Sequence, residues 1–120
     1  MSEKTKLLFK GYEISKSANR GNEAKEWVME YINITSEDSL VEIMGLCIIL
    51  ELKDPSKKIT KLIGKGISIL KSENKEEAKE WLKEYIDNIS LDRLTDVVAL
   101  CVNWEFEGLL RKLKELKQES

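Results

Sequence analysis

Histidine is missing from this chain altogether. That absence removes histidine acid–base catalysis and histidine metal ligation at once. Cysteine occurs twice, as Cys47 and Cys101, with no CxxC pair, so zinc sites of the usual Cys/His kinds lack ligands. Long apolar runs are missing too. The longest, counting glycine, spans Ile43 to Leu50, well short of the ~20 residues a helix needs to cross a bilayer. The opening Met1-Ser2-Glu3-Lys4-Thr5 leads into no such run, which predicts no signal peptide and, by default, a cytoplasmic location. Charge of one sign is scarce as well: the net charge of −2 gives no global field toward nucleic acid or an anionic membrane. Glutamine appears once, Gln118, against abundant Lys, Glu and Ile, which is the compositional bias of hyperthermophile proteins.

What the sequence does contain is an internal repeat. Glu23-Ala24-Lys25-Glu26-Trp27 returns as Glu77-Ala78-Lys79-Glu80-Trp81. At a shift of 54, residues 23–52 match 77–106 at 14 of 30 positions, including Tyr31/Tyr85, Ser36/Ser90, Leu46/Leu100 and Cys47/Cys101. Upstream the shift is 55, and 4–19 matches 59–74 at nine of 16 positions. Self-similarity at a fixed period points to stacked copies of one unit. The expected fold is all-α: a tandem duplication of a three-helix unit of about 54 residues, making six or seven helices in one compact bundle or short solenoid. Repeat 1 covers about 4–54, repeat 2 about 59–108, and residues 109–118 form a C-terminal capping helix, with extension of the preceding helix as the alternative.

Helical periodicity places the first helices at about Lys4–Ser17 and Ser56–Lys71, and the second at about Glu23–Asn33 and Glu76–Asp87. Asn74 and Glu77 resemble a capping box. Ser36 and Ser90 are N-caps for the third helices, with Asp38 and Asp92 in the first turn, where the helix dipole favours acids. Residues 40–50 are apolar nearly all round, which suits a helix at the centre of a bundle. Asp54-Pro55 ends that helix. Trp27, Trp81, Tyr31 and Tyr85 lie on apolar stripes and are expected in the core. Cys47 and Cys101 are expected as buried small hydrophobes. Gly11 and Gly66, each in the middle of an apolar face, predict a close helix crossing.

Candidate functional residues are few. Glu76-Glu77-Ala78-Lys79-Glu80 resembles the first metal motif of the all-α nucleoside-triphosphate pyrophosphatases of the MazG type. The companion ExxD on a second helix is missing, Asn22 replaces the first glutamate in the other copy, and the carboxylates face away from the Ala78/Trp81/Leu82 stripe. No metal or cofactor is expected. Charge is segregated by helix: residues 53–75 carry seven lysines against two acids, and 76–107 nine acids against three bases. Lys57, Lys58, Lys61 and Lys65 form a basic strip that would meet an acidic surface, on a partner protein or on another copy of the chain. Trp104 and Phe106 replace Leu50 and Leu52 of the first copy and form a candidate aromatic contact patch. The expectation is therefore a non-enzymatic helical-repeat interaction module that binds another protein or a second copy of the chain, with no membrane partner. The alternatives are a small metal-dependent carboxylate nucleotide hydrolase, and a protein weakly associated with nucleic acid. No arginine cluster or lysine–aromatic alternation supports the last.

Overall fold

The computed structural model describes residues 2–17, 21–53 and 59–119. Among these there are six α-helices and no strand: α1 (Glu3–Ser15), α2 (Gly21–Ile34), α3 (Glu37–Lys53), α4 (Thr60–Ser72), α5 (Lys75–Asn88) and α6 (Leu91–Glu119). The caps fall where side-chain chemistry puts them. The amides of Ser39 and Arg93 donate to the Oγ of Ser36 and Ser90, both at 3.2 Å. Asn74 Oδ1 accepts from the amides of Glu76 and Glu77. These bonds satisfy donors that a helix start leaves orphaned. The predicted Asp54-Pro55 stop and the first residues of the predicted 56–71 helix lie outside the described residues.

Two trios build the body. α1 and α2 pack on α6, and α4 and α5 pack on α3. Each of α3 and α6 is thus covered by helices from the other half of the chain. α2 against α5 and α3 against α6 join the trios.

The tryptophans organise each trio in the same way. Trp27 Nε1 donates to the Leu7 carbonyl at 2.7 Å, and Trp81 Nε1 to the Leu62 carbonyl at 2.7 Å. Both rings are buried and stack on the tyrosine one turn on, with centroids 5.2 Å and 5.1 Å apart. Gly11 and Gly66 make this possible. A Cβ on Gly11 would sit 2.5 Å from the Trp27 ring, and one on Gly66 2.8 Å from the Trp81 ring. Only a glycine lets the indole reach a helix carbonyl that already serves its own helix.

α3 is less central than its composition suggests. Leu40, Ile43, Met44, Cys47 and Ile48 are buried, but Ile49 and Leu52 are exposed. Ile67 on α4 is exposed as well. The largest departure concerns the C-terminus. α6 runs unbroken through Gly108 to Glu119, so residues 109–118 are not a separate capping helix. They extend α6, and every one of them is exposed.

Candidate interaction surface

The segment of α6 beyond Gly108 carries a concentrated apolar surface. Leu109, Leu110, Leu113 and Leu116 are between 47% and 63% exposed. Of the eleven exposed large apolar side chains among the described residues, these four occupy one short stretch; the rest are spread over α1, α2, α3, α4 and the start of α6. With Phe106 they fall within an arc of about 120° on the helix. The stripe continues, past Gly108, the side of α6 on which Val98 and Val102 are buried. α6 therefore carries part of its apolar face on beyond the bundle, where the four leucines are exposed among the described residues.

Trp104 and Phe106 lie at the root of this extension, half-buried against the core. Arg111 places its guanidinium 5.7 Å from the centroid of the Trp104 ring. Beside them a groove of about 410 Å³ runs between α6 and the starts of α1 and α3, lined by Trp104, Leu8, Leu109, Arg111 and Lys112 among others. Of the lysine strip, Lys61 and Lys65 are exposed on α4, and Lys57 and Lys58 lie outside the described residues. Lys65 Nζ is 3.7 Å from Glu84 of α5, so part of the strip's charge is answered within the chain.

A buried carboxylate, Glu51, and a half-buried one, Glu105, escape a reading by periodicity. Tyr85 donates its hydroxyl to Glu51 Oε1 at 2.7 Å, and Tyr31 donates to Glu105 Oε1 at 2.6 Å. Arg93 Nε lies 3.4 Å from Glu51, and Lys4 Nζ 3.3 Å from Glu105. Glu51 is only 3% exposed, and its Oε2 has no hydrogen-bond partner among the described residues. The available signal was that Glu51 and Glu105 coincide at the same 54-residue shift on otherwise apolar stretches. Burial, then the hydrogen bond to Glu105, raise the phenol of Tyr31 well above its ordinary range. Burial, with Cys47 and Glu51 close by, does the same to Tyr85. Burial likewise pushes the Cys47 thiol up to about 12 and Cys101 well above its usual value. Protonated and enclosed, these thiols are poor nucleophiles and poor ligands. The clusters tie helices together and present no reactive group to solvent.

The carboxylates of the Glu76–Glu80 stretch are exposed along α5, and Glu76, Glu77 and Glu80 line a cleft against α4 with Lys65 and Ser68. Among the described residues no three His, Cys, Asp or Glu side chains group closely enough to hold a metal ion. No described helix is long and apolar enough to cross a membrane. Compared with protein-family models, curated proteins and solved structures, the chain matches none of them.

Proposed function

We propose that this protein is a non-enzymatic helical interaction module. It is built from a duplicated three-helix unit and docks a protein partner on the apolar stripe of the α6 extension. One observation carries the reading: a helix that continues past its own bundle bearing four exposed leucines on one face. Large apolar side chains gathered on an exposed surface mark interaction sites in soluble proteins, whereas singly scattered ones need no explanation. α1 and α2 already cover α6, and the four leucines remain exposed beyond them. The paired tryptophan, tyrosine and glutamate contacts support the duplication, since residues matched at the shifts of 54 and 55 make matching contacts.

The reading separates docking from folding. Leu113→Lys with Leu116→Lys is expected to leave the melting temperature of the dilute protein within about 1 °C, because surface changes away from the core alter stability by ~0.5 kcal/mol or less. The same double variant is expected to lose most of the binding of a fluorescent apolar dye to the native protein. A drop in melting temperature of the size a core leucine gives would show that the stripe belongs to the fold and would overturn the proposal.

A further inference from the structure

Resting on that reading of the α6 extension, we infer that its occupant is an acidic amphipathic helix of another protein. The apolar stripe of that helix covers the leucines, and its carboxylates meet Lys112 and Lys114. Three observations support this.

The first is what borders the stripe. At about 100° per residue, Phe106, Leu109, Leu110 and Leu116 all lie within about 60° of Leu113. Lys112 lies about 100° to one side of Leu113, and Lys114 about 100° to the other. Both lysines are exposed. Glu115, the single acid of residues 108–118, belongs to the opposite side of the helix. Both borders of the stripe are therefore basic. In paired helices, the positions beside the seam select the partner by charge. Lysine on both borders favours glutamate or aspartate on both borders of the occupant, and disfavours a second copy of the same stripe.

The second is the form of the stripe. Leu109, Leu113 and Leu116 stand at i, i+4 and i+7. That is the anchor pattern by which one helix lies along another. An arc of about 120° is also the width of face that a helix turns to its neighbours.

The third is the groove alongside. Leu109 belongs both to the stripe and to the groove of about 410 Å³ between α6 and the starts of α1 and α3. The charged side chains lining it are Lys4, Arg111 and Lys112, against Glu105 alone. Glu105 is engaged by Lys4 at 3.3 Å and by the hydroxyl of Tyr31. Arg111 and Lys112 therefore set the charge of the groove, and an acidic side chain at the edge of the occupant meets a positive field there too.

An anionic bilayer suits the chain less well. Residues 108–118 carry four bases and one acid, but the rest of the chain carries sixteen bases and twenty-one acids. A bilayer would meet that acidic body as well as the extension, whereas a partner helix meets the extension alone.

Fluorescence anisotropy of two labelled helical peptides, titrated with the full chain, tests this. Both peptides carry the same leucine seam, one bordered by glutamates and the other by lysines. The glutamate-bordered peptide is expected to bind about tenfold more tightly at low salt, with the preference shrinking as salt is raised. Lys112→Glu with Lys114→Glu is expected to reverse the preference, a result that unfolding does not produce. Leu113→Ala with Leu116→Ala is expected to remove the binding of both. Equal binding of the two peptides, lost with the leucines, would overturn the acidic occupant and leave the stripe as a docking surface for another kind of protein. Binding that survives loss of the leucines would overturn the docking reading itself. Binding of neither peptide, with capture of the chain by phosphatidylcholine–phosphatidylglycerol vesicles instead, would overturn the helical occupant in favour of a lipid surface.

Discussion

At Gly66 a side chain as small as a methyl group is too large. The Trp81 ring lies where a Cβ would go, held there by its bond to the Leu62 carbonyl. Two turns of logic follow from this one contact. Alanine in a helix interior is normally favoured over glycine by ~1 kcal/mol. At Gly64, one face round on α4, nothing stands in the way, and Gly64→Ala is expected to stabilise the protein by about 0.5–1 kcal/mol. At Gly66 the indole must move or lose its hydrogen bond, so Gly66→Ala is expected to destabilise by about 1–3 kcal/mol. Urea denaturation of the two variants checks the opposite signs. The same residue-scale physics governs alkali. Cys47, Cys101, Tyr31 and Tyr85 are acids whose neutral form the fold favours, through burial first. The unfolded chain ionises its thiols near pH ~8.5 and its phenols near ~10, while the folded chain holds these protons. Native protein therefore binds more protons above that point, and stability falls as pH rises. Melting temperature is expected to be level up to about pH 8 and to decline steadily above about pH 9. A level profile to about pH 11 would contradict the assigned burial.

At the scale of helices, much was legible. Periodicity located α1 and α2, and the caps Ser36, Asn74 and Ser90 located the starts of α3, α5 and α6. The glycine–tryptophan crossings were legible as close approaches, though not as indole–carbonyl bonds. The extension of α6 was read instead as a separate cap, by analogy with Asp54-Pro55. The physical difference lies in the stop signal. Proline forbids helix in the residue before it and lacks an amide, whereas Gly108 only weakens a helix by ~1 kcal/mol, and good helix formers follow it. Leu109, Leu113 and Leu116 recur at helical spacing in the sequence, yet were not among the candidate site residues. Whether such a stripe meets a neighbour depends on helix lengths and crossing geometry, which periodicity does not contain. For the same reason Trp104 and Phe106 drew the eye, while the more exposed leucines beyond them did not.

At the scale of the molecule, the pairing of trios was not legible, and the reason is symmetry in the sequence itself. The buried stripes of α2 and α5 differ only at Val28 and Leu82, and the inward faces of α3 and α6 share Leu40/Leu94, Cys47/Cys101 and Glu51/Glu105, so the sequence alone does not choose between the pairings. Tertiary structure breaks the tie by setting Tyr31 on Glu105 and Tyr85 on Glu51 across the two halves. With α1 and α2 closing over α6, and α4 and α5 over α3, the body is complete, and the surplus is the helix that continues beyond it. The account stands or falls on what that surplus does. Amide hydrogen exchange of the intact, dilute protein addresses it most directly. The amides of residues 109–118 are expected to exchange much faster than those of the tryptophan-bearing helices, because nothing in the fold rests on them. Protection of this segment equal to that of those helices would contradict it.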